Sequence, residues 1–374
     1  MHTFAALPTW TDLAAALAAG RPDDAEIAKP WIGGNAFVAW FAGASDALGA
    51  VTAWWSRAHD RRRPRVWLPD YFCNSATAPM RAVGIEPTFY PIGTSLAPDW
   101  QACRAMAAEN APPDLFLLVH YFGAAGAGAP AAAFCRETGA LLIEDAAHVL
   151  APADGIGNFG DFTLYSQHKT MVVPDGALLL ARDPARLPGG DGLAAVFDGW
   201  PSASPWAWMI KRALQKAAPG AALAQRVRSL PGFEVDQVPA ATVRQHCAST
   251  AGRAMIARAG RRIREIAQCK KARAMAWRSV LAASTGERPL FTPSAEGEAP
   301  YRFVLQCPER AAAIARFDAL RQQGVAVETW PDLAPEVTAK PDRHGTAIEF
   351  RSTLLFLPVH GTGFERLPDI VAAM

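Results

Sequence analysis

Apolar positions along this chain come in blocks, not at every second place. Short, nearly unbroken apolar runs stand at Val66-Trp67-Leu68, Pro87 to Ile92, Leu115 to Phe122, Leu141 to Glu144, Phe162 to Tyr165 and Ala177 to Ala181. Runs without polar alternation predict strands buried on both faces. Between them lie segments of helical periodicity at Ala47 to His59, 74–83, Asp99 to Asn110 and Pro130 to Thr138, with Gly84 and Gly139 as stops. Strands alternating with helices predict an α/β domain with a mostly parallel sheet covered on both faces.

The pattern differs at the two ends. Residues 1–30 read as an N-terminal arm: a short amphipathic helix starting near Asp12, then a Pro-containing linker from Arg21 to Pro30. After Pro188 the chain becomes rich in Gly, Pro, Ser and Trp, and the segment from Trp200 to Trp208 has no role readable from sequence. A basic helical stretch runs from Trp206 to about Lys216 and suits packing against the body or a partner subunit better than a membrane surface. Residues 240–283, dense in Ala and Arg, predict one long helical segment linking two units. A smaller α/β unit follows, with strands at Tyr301–Gln306, Val325–Thr329 and Thr353–Leu357 and a helix at Pro308–Gln322. The expected division is 1–30 arm, 31–240 large domain, and 241–374 linking helix with small domain.

Composition narrows the function classes. With 374 residues and 51% hydrophobic against 19% charged, the chain can bury a large core and is not disordered. A formal net charge of +2 gives no dedicated nucleic-acid surface, and the run Arg61-Arg62-Arg63 reads as a solvated turn. The six Cys are scattered without metal-type spacing, which predicts reduced, mostly buried thiols in a cytoplasmic protein. No apolar run reaches the roughly 18 residues of a membrane span, and the N-terminus lacks the features of a signal peptide.

The candidate chemistry concentrates between Leu141 and Leu180. Asp145 ends one predicted strand, and Ser166 and Lys169 follow the next, with a loop containing Gly155, Gly157 and Gly160 between them. In open parallel sheets ligands bind at the carboxyl edge of the strands. A Lys at such an end can form a Schiff base with an aldehyde. An Asp on the neighbouring strand can keep a pyridine nitrogen protonated, so that the ring accepts electrons. Ser166 can bond a phosphate oxygen. The helix start at Ala44-Ser45 offers free backbone N–H groups to the same anion, although ordinary capping explains Ser45 and Asp46 alone. His148 can reach the phenolic oxygen of the ring or stack on it. Together these residues are the equipment for pyridoxal 5'-phosphate.

Ile143-Glu144-Asp145-Ala146-Ala147-His148, Phe159-Gly160-Asp161-Phe162, and Ser166 with Lys169 before Asp175-Gly176 resemble the nucleotide-sugar aminotransferases of the DegT type, a fold type I pyridoxal-phosphate family. Leu68-Pro69-Asp70-Tyr71, Val119-His120-Tyr121-Phe122-Gly123 and Leu357-Pro358-Val359-His360 are similar to further motifs of that family. The resemblance implies a seven-stranded-type sheet in the large domain and an active site at the interface of a homodimer. It implies Lys169 as the catalytic lysine, Asp145 on the pyridine nitrogen, Ser45 and Ser166 on the phosphate, and an aromatic near Tyr71-Phe72 on the ring. Phe72 is the candidate for that stacking, with Cys73 the alternative in register. It further implies an amino donor such as glutamate and a nucleotide-linked keto sugar as acceptor.

Three features depart from the family, one being Pro174-Asp175-Gly176-Ala177 in place of its Gly-Glu-Gly-Gly. Ser166 and Lys169 are three residues apart where the family has five, and its Asn-Tyr-Arg segment is absent from the region around Val238 to Arg244. The alternatives are therefore another pyridoxal-phosphate reaction (lyase, decarboxylase or desulfurase, with Cys307 as a candidate thiol) or a cofactor-binding homologue without turnover.

Overall fold

The computed structural model describes residues 6–18, 20, 22–33, 36–187, 189–218, 232–233, 243, 245–281, 287–291, 299–361 and 364–372. Its centre is a seven-stranded sheet of β1 (Phe37–Phe41), β2 (Val66–Pro69), β3 (Thr88–Tyr90), β4 (Leu115–Val119), β5 (Leu141–Ala146), β6 (Phe162–Tyr165) and β7 (Ala177–Ala181). The order is β1-β7-β6-β5-β4-β2-β3. β7 is antiparallel to both β6 and β1, while the pairs β2–β3, β2–β4, β4–β5 and β5–β6 are parallel. Six strands thus share one direction and β7 alone opposes them. The apolar runs read from sequence are these strands. All residues of β2, β4, β6 and β7 are buried.

This topology sets where the chain turns. β1, β2, β4, β5 and β6 all end at the same edge. Because β7 runs back alongside β6, the connection 166–176 also lies at that edge, with Lys169 near its start and Asp175 near its end. β1 was not foreseen as a strand. It is an edge strand whose partner, β7, lies some 140 residues later in the chain, so no local pattern announces the pairing.

The N-terminal arm is more structured than a linker. Helices Trp10–Ala18 and Asp24–Ala28 and a turn at Lys29–Trp31 pack against the sheet and against the helix Thr250–Gly260 in a common core that includes Leu13, Ile27, Trp31, Tyr165, Leu178 and Ile256. The single long helix expected over 240–283 is instead two, Thr250–Gly260 and Ile263–Leu281. Ser249 caps the first by accepting a hydrogen bond from the Gly252 N–H at 2.9 Å; residues 245–248 before it are not helical, with Gln245 at φ 48° and Cys247 bridged to Phe41.

In the C-terminal unit, β8 (Arg288–Pro289), β9 (Phe303–Gln306) and β10 (Leu354–Leu357) form an antiparallel sheet ordered β10-β9-β8. It packs on Ile263–Leu281 and on the helix Arg310–Gln322. The strand expected at Val325–Thr329 is reduced to one bridge, Glu328 with Phe356, whose two backbone hydrogen bonds are 3.0 and 2.8 Å. No described helix is long and apolar enough to cross a membrane.

Candidate active site

The strand ends surround a cavity of about 710 Å³. Of the residues singled out from sequence, Ala44, Ser45, Phe72, Asp145, His148 and Lys169 all line it. Ser166 does not. It is fully buried, and its hydroxyl is 3.1 Å from His168 Nδ1. Lys169 lies in a single helical turn, Gln167–Thr170, directly after β6, with its own side chain exposed in the cavity.

Neighbouring carboxylates on β5 point to opposite faces of the sheet, as strand geometry demands. Glu144 is fully buried away from the cavity. Its carboxylate accepts hydrogen bonds from Gly157 N–H at 2.8 Å and Phe159 N–H at 2.7 Å, from Gly160 N–H, and from His120 Nε2 at 2.8 Å. His120 Nδ1 accepts from Gly126 N–H at 2.9 Å, which leaves Nε2 as the nitrogen that donates to Glu144. Burial opposes the charge on Glu144, but His120 and the loop N–H groups outweigh it and hold the carboxyl below its ordinary range. The Gly-rich loop therefore belongs to Glu144, not to the cavity. At Gly157, φ is +72° and a Cβ would stand 2.6 Å from the Tyr165 hydroxyl, so only glycine fits.

Asp145 faces the cavity. One oxygen accepts from Ala147 N–H at 2.9 Å. Burial raises its pKa, and Lys169 and the Ala147 N–H offset this only in part. A cation beside this carboxylate would be held strongly, because its charge is under-compensated.

His148 is stacked on Tyr301, with centroids 4.3 Å apart and planes 3° from parallel. Its Nδ1 accepts from the Phe122 N–H at 3.4 Å, which leaves the proton on Nε2. Burial first, then Lys169 and Arg302, pushes its pKa well below the imidazole range, so the ring is neutral. Phe122 adopts φ 57° to make this contact. On the opposite wall, Tyr71 turns into the core and stacks on Trp330 at 4.3 Å, while Phe72 and Cys73 line the cavity. The Cys73 thiol is pushed up to about 11 by burial and by Asp332, so it is protonated and a poor nucleophile.

One end of the cavity is formed by a helix start. The helix Ala44–Ala58 starts there with Gly43 as its cap. The Asp46 carboxylate accepts from Gly43 N–H at 3.1 Å and Gln245 N–H at 3.0 Å, so it is turned toward backbone donors. Asp175 is likewise engaged, by Ser249 N–H at 2.8 Å and Ser249 Oγ at 2.7 Å.

Sequence reasoning missed Trp330, His246 and Ser204, which also line the cavity. Trp330 directly follows the run expected to be a strand. His246 was hidden inside the expected long helix. Ser249 as an N-cap before a periodic run was the available signal that the helix begins later. Residues 238–242 and 244 lie outside the described residues. All six Cys are free, and among the described residues no group of three or more His, Cys, Asp and Glu is placed to hold a metal ion.

Comparison with known proteins agrees with this geometry. Residues 63–187 match the model of the DegT/DnrJ/EryC1/StrS aminotransferase family. A dTDP-4-dehydro-2,3,6-trideoxy-D-glucose 4-aminotransferase of Saccharopolyspora spinosa is 37% identical over 107 residues, 25% of this chain and 28% of that protein. The match thus spans well under half of the relative. Two solved structures align over nearly the whole chain. One is Helicobacter pylori PseC, an aminotransferase involved in the biosynthesis of pseudoaminic acid, at TM-score 0.71 and 12% identity over 100% of this chain and 98% of that one. The other is the aminotransferase TlmJ of Streptoalloteichus hindustanus, at TM-score 0.68 and 20% identity over 99% and 96%. At these identities the likeness establishes the fold, that of the fold type I aminotransferases.

Proposed function

We propose that this chain, with the DegT-type aminotransferase domain over residues 63–187, is a pyridoxal-phosphate-dependent aminotransferase. It would move an amino group from an amino acid such as glutamate to a keto sugar, nucleotide-linked, or a related ketone. The observation that carries this reading is the meeting of Lys169, Asp145 and the Ala44–Ser45 helix start in one cavity. The residues fit the cofactor: an amine, a buried carboxylate with incomplete compensation, a flat aromatic wall at Phe72 and an anion corner. When bound, pyridoxal phosphate supplies an electron sink for the pair left on a substrate carbon.

The protein's own groups divide the remaining work. Lys169 would supply the amine that holds the cofactor aldehyde, and the same amine would move the proton at the substrate carbon. Asp145 keeps the pyridine nitrogen protonated. His148, neutral with its proton on Nε2, is a donor toward the ring's phenolic oxygen. Backbone N–H groups at Ala44 and Ser45 receive the phosphate. Cys73, Ser75, Ser204 and Trp330 remain on the walls to contact substrate.

A desulfurase reading is not favoured, because it requires an activated thiol. Cys73 is held protonated, and Cys307 lies in the separate C-terminal core with its thiol pushed up to about 12 by burial. We further propose a cytoplasmic homodimer. The helix Trp206–Ala217 supports the dimer, since it turns Trp206, Ile210 and Leu214 outward while burying Gln215.

The test is the visible absorption of the purified protein. Glutamate should bleach the band of the lysine-bound cofactor, a keto sugar should restore it, and 2-oxoglutarate should accumulate. Lys169→Ala should show neither band nor turnover, a loss of several orders of magnitude. A wild-type band that no amino donor bleaches would overturn the transfer reaction.

A further inference from the structure

A bound phosphate group carries about two negative charges at neutral pH. Among the described residues, Lys169 is the single Lys or Arg lining the cavity, and the proposed chemistry commits its amine to the aldehyde. Ser166, the side chain expected to bond the phosphate, is fully buried behind the wall and engaged with His168. With Ser166 withdrawn, the anion is left with the N–H groups of the Ala44–Ser45 helix start and with neutral cavity side chains such as the Ser45 and Ser204 hydroxyls.

Three imidazoles line the cavity: His148, His168 and His246. His148 Nδ1 is taken by Phe122 N–H, and its ring is fixed against Tyr301. His168 Nδ1 lies 3.1 Å from Ser166 Oγ and 3.4 Å from Gly176 O. His246 differs. Its Nδ1 is buried and has no hydrogen-bond partner among the described residues, and its ring stands near enough to the Asp46 carboxylate to favour that charge. An unsatisfied buried polar atom costs about 1–3 kcal/mol unless something pairs with it.

Its position is fixed by backbone. Ala42 N–H donates to His246 O at 2.9 Å, and Ala248 N–H donates to Trp40 O at 3.0 Å. Gln245 N–H donates to Asp46 Oδ1 at 3.0 Å, and Cys247 bridges Phe41. These contacts strap residues 245–248 along β1 and the turn that begins the helix Ala44–Ala58. Two carboxylates, Asp46 and Asp175, share this corner, and both are turned toward N–H and O–H donors, which limits their repulsion of an anion.

We infer that His246 is a ligand of the cofactor phosphate, donating from its ring to a phosphate oxygen beside the N–H groups of Ala44 and Ser45. This rests on the cofactor reading above. It gives the phosphate a side-chain donor from the same chain.

The experiment compares two ligands that differ only in the phosphate. Cofactor-free protein is titrated with pyridoxal phosphate and, separately, with pyridoxal, following the visible band of the lysine-bound aldehyde. In His246→Ala, affinity for pyridoxal phosphate should fall about tenfold, the value of one hydrogen bond to a charged group, while affinity for pyridoxal stays unchanged. His246→Gln, which keeps a donor, should recover most of the loss. Equal losses for both ligands would assign His246 to the shape of the pocket and overturn the proposal, as would no loss for either. The pyridoxal arm reports whether each variant is folded, and His246→Phe, which keeps a ring without a donor, carries the same comparison if His246→Ala does not fold. A wild-type protein that forms no band with either ligand overturns the cofactor reading and this assignment together.

Discussion

The two faces of β5 carry adjacent carboxylates with opposite fates. On one face Glu144 is fully buried and accepts hydrogen bonds from His120 and three loop N–H groups. On the other, Asp145 looks into the cavity and accepts from Ala147 N–H. The first is held below the ordinary carboxylate range and the second above it. Both are carboxylic acids, and they are adjacent in the sequence. What separates them is the number of donors the fold brings, and so whether the charge is spent on structure or left available to a ligand.

The largest effect should follow from the cavity side. Asp145→Asn keeps the shape and removes the charge, so turnover should fall by roughly 100- to 1000-fold, as for loss of one preorganised electrostatic partner; steady-state assay with glutamate measures it. On the other face, Glu144→Gln should leave the cavity chemistry largely intact and destabilise the fold by about 2 kcal/mol, the scale for hydrogen bonds to a buried charged group, read by denaturant unfolding. If Glu144→Gln cost activity without stability, the division of labour between the faces would be wrong.

The pH dependence should separate them by sign. Glu144 has a folded pKa below its ordinary 4.5, so its contribution is present above 4.5 and is lost as pH falls through the folded value. The gap between wild type and Glu144→Gln should therefore be widest near neutrality and close in acid. Asp145 has a folded pKa above its ordinary 3.8, so its ionisation costs stability as pH rises through the folded value. Cofactor-free Asp145→Asn should equal or exceed wild type in stability at neutral pH and converge with it below 3.8. The smallest effect on the chain itself belongs to the outward helix. Ile210→Glu should change folding stability by less than about 0.5 kcal/mol yet shift sedimentation from dimer toward monomer. An unchanged dimer would remove the helix Trp206–Ala217 from the interface.

The cavity wall was legible in sequence to the extent that it is built from strand ends. β2, β4, β5, β6 and β7 announce themselves because both of their faces are buried. A residue such as Asp145 or Lys169 is found by reading to the end of an apolar run. The phosphate corner was only half legible. Ser45 stands before a periodic helix, but His246 reaches the corner through pairing with β1, and no periodicity encodes that contact. Ser166 shows the converse limit: spacing put it beside Lys169, yet the turn after β6 carries its hydroxyl to His168 instead of the cavity. Trp330 arrives from the C-terminal unit by tertiary packing against Tyr71. The outward face of Trp206–Ala217 was read as helical, but which side it would bury is not a local property.

The reversal between β6 and β7 also bears on when the site forms during folding. The turn that holds Lys169 is anchored at its far end by Asp175 to Ser249. The helix that Ser249 caps is tied in turn to the arm through Arg253 with Asp24 and Arg258 with Asp12, bonds that span 229 and 246 positions of the chain. Contacts of such separation carry a loop-closure entropy that local helices do not. The lysine's surroundings are thus complete only once residues beyond 250 have met the arm.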